Sequence, residues 1–308
     1  MHAIEAVLRL LVTISVPVFA IASMLSMGLR TPVDTFSAQL KDRRSVLAVA
    51  LANFVVVPAV GVVLIGMLSP VAPLGVREGL VIALCAAGAP FVLQLGTMAR
   101  IPYDEVAGPM AVLLVGTVLF MPVTVPFLVQ GVDVRAFDVA ALLVGTMLAP
   151  MVAGIGLGHL LPRHADLLAR TAGGVAAVSA VLMFLSGFGA NSGLVAELVL
   201  SPVILLPIGV IALAFLGGRI AGDLSGPTLT VADGPAILTS QRNIAAALLV
   251  ARSAPDHDEM VVAILLVSAV GFCMLVPYAL GKGAVRRRRA GERTSLGALI
   301  GVAEAKQR

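Results

Sequence analysis

The sequence predicts an all-α, polytopic membrane protein of about nine transmembrane helices, and three observations predict it. Hydrophobic residues make up 59% of its 308 residues and charged residues only 12%. The apolar residues fall into nine runs, 6–29, 46–68, 79–99, 106–129, 139–161, 171–192, 195–217, 227–251 and 260–281. Each approaches or exceeds the roughly 20 residues that carry an α-helix across about 30 Å of hydrocarbon. Short connections separate them, so no polar stretch is long enough to fold as a second domain. Residues 1–281 read as one transmembrane domain and 282–308 as a basic tail.

The first run contains a small-residue site, Ala20-Ile21-Ala22, but His2, Glu5 and Arg9 precede it instead of a basic cluster. It also continues to Leu29, so it reads as a retained helix and not a cleaved signal. The second run carries Asn53. The third is interrupted by Ala87-Gly88-Ala89-Pro90 and followed by Gln94 and Thr97. An interior proline removes a donor and crowds the preceding turn, so this helix is expected to kink or break. The fourth holds Thr117, with Pro126 near its end. The fifth, sixth and seventh read as ordinary spans. The eighth is entered through Gly234-Pro235 and holds Thr239-Ser240-Gln241-Arg242-Asn243. The ninth has Pro277 near its end and leads into Arg286–Arg289. The third and eighth runs are thus the irregular ones, one in each half. Paired Gly/Pro-interrupted segments point to a transporter site built on inverted repeats with two broken crossing helices.

Charge sets the orientation. With the N-terminus outside, the inner loops and tail hold Arg30, Lys41, Arg43, Arg44, Arg100, Arg163, Arg170, Arg219 and the cluster from Lys282 to Arg308. The outer loops hold only Arg77, Arg135 and Arg252. Basic residues are retained on the cytoplasmic side, and nine crossings then leave the C-terminus inside, in a bacterial-type inner membrane. The net charge of +4 and pI of about 9.6 follow this topology and do not indicate a nucleic-acid partner. Tyr103 and Tyr278 fall at inner helix ends, where amphipathic rings belong. Cys85 and Cys273 each lie alone in an apolar run and are expected to be buried structural thiols. The four histidines, His2, His159, His164 and His257, are scattered. Neither metal-ligand spacing, a nucleophilic triad nor a phosphate loop is present, and an enzyme is not expected.

Arg242 is the sharpest candidate for function. An arginine at mid-membrane costs about 2.5–3.5 kcal/mol on the insertion scale, and Arg242 lies well inside its run. It must face protein or a water-filled cavity, where an anionic substrate, a carboxylate or helix carbonyls would neutralise it. The expected binding set is Arg242, Asn243, Gln241 and Ser240, with Gln94, Thr97 and Asn53 as the opposing wall. Gly88, Pro90 and Pro235 are expected to hold the backbone open. Amides and hydroxyls of this kind also glue membrane helices together. No resident metal or cofactor is expected; Na+ or H+ is a possible coupling ion, with Asn243 and Thr117 the candidates for sodium.

Several segments resemble the bile acid:sodium symporter family over most of the chain. Met27-Gly28-Leu29 followed by Asp34 and Phe36 is similar to a Met-Gly-Leu ending with a near-adjacent Asp-Phe. Asn53-Phe54 with Pro58 resembles a Gln-Phe-x-x-x-Pro segment, and Ala99-Arg100 falls where the first crossing helix of the family ends. Pro122 with Pro126 and Pro150 with Gly154 match Pro-x-x-x-Pro and Pro-x-x-x-Gly spacings. Arg242-Asn243 before Ile244-Ala245-Ala246-Ala247-Leu248 resembles Gln-Asn before a Leu-Ala-Ala run. The resemblance implies a carrier with panel and core parts, two broken helices crossing in the core, sodium ions held by oxygens at the crossing, and organic anions as cargo. The chain departs from the family at those ions. The acidic residue four positions before Gln-Asn falls on Leu238, the glutamine on Arg242, and a Ser-Asn pair on Val92-Leu93 or, with a shift, near Gln94.

The expected function is secondary transport of a small organic anion by alternating access, with the lipid bilayer as the other partner. Auxin-efflux- or arsenite-type permeases of related fold are a second reading; Cys85 is the residue to test for arsenite. A non-transporting membrane sensor or scaffold is a third, although the sequence attaches no signalling domain to the helices.

Overall fold

Inside lipid no water reaches backbone N–H and C=O groups, so each apolar run closes its hydrogen bonds within its own helix. The computed structural model describes residues 2–31, 43–67, 72–129, 135–225, 233–254 and 258–291, and among them every regular element is helical. In chain order these are α1 (His2–Arg30), α2 (Arg43–Met67), α3 (Leu74–Cys85), α4 (Val92–Met98), α5 (Tyr103–Leu128) and α6 (Ala136–Leu160). There follow α7 (Ala165–Ala190), α8 (Ser192–Leu200), α9 (Leu205–Ser225), α10 (Asp233–Ser240), α11 (Ile244–Ala251) and α12 (Asp258–Arg289). Asp34, Phe36, Asp256, His257 and the tail beyond residue 291 lie outside the described residues.

Among the described residues seven helices are long and apolar enough to cross a membrane: α1, α2, α5, α6, α7, α9 and α12. The interrupted pairs α3–α4 and α10–α11 take the places of the third and eighth runs. The order long, long, interrupted, long therefore occurs twice, as α1, α2, α3–α4, α5 and as α7, α9, α10–α11, α12. α6 lies between, and its one additional crossing starts the second set from the opposite side, the arrangement of an inverted repeat.

Prolines shape the long helices. Pro58 has no N–H and crowds the turn before it. The helix widens just upstream into a π turn, Ala52–Val56, where the Val57 N–H reaches back to the Ala52 carbonyl. Pro150 does the same to α6: Val144–Leu148 is a π turn closed by the Ala149 N–H on the Val144 carbonyl. The seventh run is misplaced by the sequence reading. Instead of spanning 195–217, the chain forms the short α8, stops at Ser201-Pro202 and restarts as a 3-10 turn leading into α9, whose spanning segment is Pro202–Ser225. Proline disfavours helical backbone in the residue before it, and the Ser201 hydroxyl accepts the Val203 N–H at 3.3 Å to cap the restart.

The helices form two groups. α1 packs along α7 and against α6. Their approach is close because Gly28 faces the Met151 carbonyl and Gly154 the Leu25 carbonyl, positions where an added Cβ would overlap backbone. Across the neighbouring seam with α7 the Ser26 hydroxyl donates to the Ala169 carbonyl at 2.8 Å. In the second group α9 packs on α10 and α2, and α12 on α3, α4, α9 and α11. The outward faces carry large apolar side chains, including Phe127 at 85% and Leu200 at 87% exposure. An apolar belt of this extent is what a lipid solvent permits. Cys273 shares that outward face of α12 with Met274 and is exposed, contrary to the buried thiol expected; Cys85 is buried.

Charges gather at the two ends of the molecule. At one end Arg9 pairs with Asp258 at 2.8 Å and Glu259 accepts from the Gly75 N–H at 3.0 Å. At the other, here termed the basic end, Asp233 opens α10 and is only 3% exposed. Its carboxylate meets Arg219 at 3.2 Å, Lys282 at 3.1 Å and Arg286 at 3.2 Å, and accepts the Tyr278 hydroxyl at 2.5 Å. This single carboxylate ties α9 and α12 to the start of α10. The cations are partly exposed and can turn to water, so the expected loss for Asp233→Asn is about 1–3 kcal/mol, below the cost of breaking a fully buried pair. A lower unfolding temperature in detergent checks it. α12 extends through Arg286–Arg289, so the first residues of the expected tail, 282–289, are helical.

The end of α4 holds one unusual residue. Arg100 has φ +56°, the only positive φ outside glycine among the described residues. Its N–H bonds the Thr97 carbonyl at 3.0 Å and the Ile101 N–H bonds the Gly96 carbonyl at 2.9 Å. This is a Schellman cap, whose left-handed position glycine usually fills.

Candidate functional site: the crossing of two interrupted helices

The first interruption follows from Ala86-Ala87-Gly88-Ala89-Pro90. Pro90 lacks an N–H and biases Ala89 away from helix. Gly88 takes φ +72°, a region glycine enters without penalty, and Ala86 is extended at φ −95°, ψ 96°. Breaking a helix at membrane depth frees backbone groups that must find partners. Thr117 on α5 accepts the Ala87 N–H at 2.9 Å and donates to the Ala87 carbonyl at 3.0 Å. The Ala86 carbonyl accepts the Asn243 N–H at 2.9 Å, and the Gly88 carbonyl accepts Asn243 Nδ2 at 3.2 Å. The two interruptions are thus bonded directly to each other. α5 presses close on the first: a Cβ on Gly88 would lie 2.5 Å from the Leu114 nitrogen.

The second interruption is at Gln241–Asn243, six residues beyond Pro235. Pro235 lies in the first turn of α10, where its missing N–H would have no intrahelical partner in any case. It therefore does not hold the backbone open, as the sequence reading expected; Gly88 and Pro90 do. The chain restarts because Asn243 is an N-cap, its Oδ1 accepting the Ala246 N–H at 3.2 Å.

Arg242 sits inside this crossing, 3% exposed. Its Nη1 donates to the Leu84 carbonyl at 3.3 Å and to Asn53 Oδ1 at 3.5 Å. Asn53, in the π turn of α2, donates in turn to the Val49 carbonyl at 2.9 Å and to Thr239 Oγ1 at 3.0 Å. Nε and Nη2 of Arg242 are buried and have no hydrogen-bond partner among the described residues. These two nitrogens share one edge of the guanidinium, and their parallel N–H bonds form the fork that grips a carboxylate in two places. One nitrogen is therefore anchored to protein, while a complete bidentate edge remains available.

The structure brings Asn53, Arg242 and Asn243 together and adds two groups, Thr239 and the Leu84 carbonyl, to the expected set. Ser240 is fully buried but donates to the Ala236 carbonyl of its own helix. Gln241 is 2% exposed with Oε1 unpartnered, beside Gly271 of α12. Gln94 and Thr97 are not at the crossing. Val92, Leu95, Gly96 and Ala99 form the buried stripe of α4, and the 3.6-residue period turns Gln94 and Thr97 to its exposed side. Thr97 donates to the Leu93 carbonyl and lines a cavity of about 310 Å³ at the basic end, together with Arg100, Tyr103 and Arg287.

A sodium ion needs several oxygen ligands, as hard cations do. At the crossing Leu238 is apolar and fully buried. Asn53 Oδ1 and the Leu84 carbonyl face the Arg242 guanidinium, and Asn243 Oδ1 caps α11. Thr117 is engaged with both polar groups of Ala87. These residues suit a resident guanidinium better than a bound cation. Compared with known proteins, the chain matches the model of the Sodium Bile acid symporter family over residues 17–201, more than half its length. No curated protein matches it.

Proposed function

The chain belongs to the sodium bile acid symporter family, and from that premise we propose that it carries a small organic anion, with Arg242 as the fixed countercharge. The family consists of transporters, and the seven long apolar helices make this a multi-pass membrane protein. The single observation that carries the finer reading is the buried, unpartnered Nε–Nη2 edge of Arg242 beside the two helix interruptions. A carboxylate placed against it would gain two charge-assisted hydrogen bonds in a site shielded from water. Asn243, Gln241 and Asn53 would line the same place, and the two groups of helices would rock about it to expose it to either side.

In this reading the guanidinium stands where relatives hold sodium, and transport is sodium-independent. The N-terminus lies outside and the basic end faces the cytoplasm, as the distribution of Arg and Lys favours. The test is uptake of radiolabelled carboxylates into proteoliposomes with and without an inward sodium gradient. The expected result is saturable uptake that is the same in both. Uptake that strictly requires sodium would overturn the fixed-charge reading, and absence of any carboxylate flux would overturn the carrier itself.

A further inference from the structure

Around the second interruption, three buried side chains carry hydrogen-bonding atoms that no described residue engages. One is Arg242, with its Nε–Nη2 edge. The second is Gln241, whose Oε1 has no partner. The third is Ser268 of α12, 4% exposed, whose Oγ has none either. Buried polar atoms are nearly always bonded, so such a group calls for a partner. Ile264, Ser268, Gly271 and Leu275 form one buried stripe of α12. Gly271 turns that stripe toward the interruption: an added Cβ would lie 3.4 Å from Gln241 Oε1 and 3.5 Å from Ile211 Cδ1 of α9. Glycine thus leaves a gap about one methyl wide beside Gln241, with the Ser268 hydroxyl one turn away on the same helix face. Ser268 is also level with the anchor of Arg242. Gly75 faces Glu259 and Gly79 faces Ala263, so α3 and α12 run side by side in the same direction. Leu84 is five residues past Gly79, and Ser268 five past Ala263, a rise of about 7.5 Å on each helix.

We propose that this gap is a hydroxyl subsite and that the cargo is a 2-hydroxycarboxylate. Its carboxylate lies on the Nε–Nη2 edge of Arg242, while its hydroxyl donates to Gln241 Oε1 and accepts from Ser268 Oγ. The 2-hydroxyl adjoins the carboxylate as Gln241 adjoins Arg242 in the chain. An amide oxygen needs a donor, and charge selects a hydroxyl over an ammonium group. Arg242 is already positive, and the buried acids among the described residues are remote. Glu78 lies six residues before Leu84, and Asp233 eight before Gln241. The proposal rests on the anion-carrier reading and narrows its substrate class.

A site built to bond a hydroxyl rejects the analogue that lacks it, because its own polar groups are then left unpaired. Lactate and propionate differ by that hydroxyl. Isothermal titration calorimetry on the purified protein in detergent is expected to show lactate binding about tenfold tighter than propionate, the combined effect of two neutral hydrogen bonds. Gly271→Ala fills the gap at ordinary contact distances, so the variant is expected to fold and the two acids to bind about equally. Ser268→Ala removes a hydroxyl that has no partner and serves as the second variant, with the preference expected to fall about threefold. Equal affinities in the parent, or a preference that neither variant changes, would overturn the subsite and assign the gap to a bound water. Binding of neither acid overturns it as well. No flux enters this measurement. A lactate preference without carboxylate transport would defeat the carrier reading alone, and transport without that preference would defeat the subsite alone.

Discussion

Arg242→Gln is expected to reduce carboxylate uptake in proteoliposomes by at least about 100-fold while leaving the protein folded. The guanidinium is 3% exposed and opposite no carboxylate among its partners, which are the Leu84 carbonyl and Asn53 Oδ1. An anion brought against it is desolvated, and losing the partner of a desolvated charge costs about 2–5 kcal/mol. At 1.4 kcal/mol per factor of ten, the middle of that range is two to three orders of magnitude. Stability should move the other way or not at all. A buried charge with two unused donors is a burden on the fold, and replacing buried ionic groups by neutral ones is often neutral or stabilising. Glutamine is also the residue that the family resemblance places at this position. Uptake at the original rate, with an unchanged melting temperature, would remove Arg242 from the transport path.

Gly88→Ala is expected to destabilise the protein by about 3 kcal/mol or more. Two independent penalties act on the same methyl group. The φ of +72° costs an L residue about 1–2 kcal/mol. The methyl would also lie 2.5 Å from the Leu114 nitrogen and 2.8 Å from its Cα, and forcing atoms into a packed core costs typically 1–3 kcal/mol. Backbone of α5 cannot turn aside as a flexible side chain would. The carbonyl of Gly88 also receives Asn243 Nδ2, so any shift that relieves the clash separates the two interruptions. A sharp fall in melting temperature and in yield of monodisperse protein is expected. Gly145→Ala, at a site with nothing within 4 Å of the added Cβ, is the matched control and should behave like the parent.

The fold was legible because lipid leaves few choices. Long apolar runs can only be helices, and Pro90 within one of them marked the first interruption. The second was read at the wrong residue, since Gly234-Pro235 looks like a break but occupies a first turn, where proline is harmless. The real stop is marked by Arg242-Asn243, whose side chains bond across the molecule. Gln94 and Thr97 were attractive because they are polar and follow Pro90, yet the stripe of Val92, Leu95, Gly96 and Ala99 already assigns them to the other face of α4. Ser201-Pro202 marks where the seventh span begins, a signal that the apolar run 195–217 passes over because both sides of it are hydrophobic. The Asp233 cluster could not be read from the chain, because its cations come from α9 and α12 and meet only once those helices pack. A partial trace remains in Tyr278, Lys282 and Arg286, which recur every four residues and so share one helix face.

The anchored guanidinium has a consequence for the direction of transport. A symporter that moves more sodium charge than anion charge carries net positive charge, which an interior-negative voltage drives inward. If the positive partner is part of the polypeptide and stays behind, each turnover displaces only the charge of the cargo. At an interior-negative potential a monovalent anion then travels outward with a gain of roughly 2.3 kcal/mol per 100 mV, which favours an exporter or an anion-for-anion exchanger over an accumulating importer.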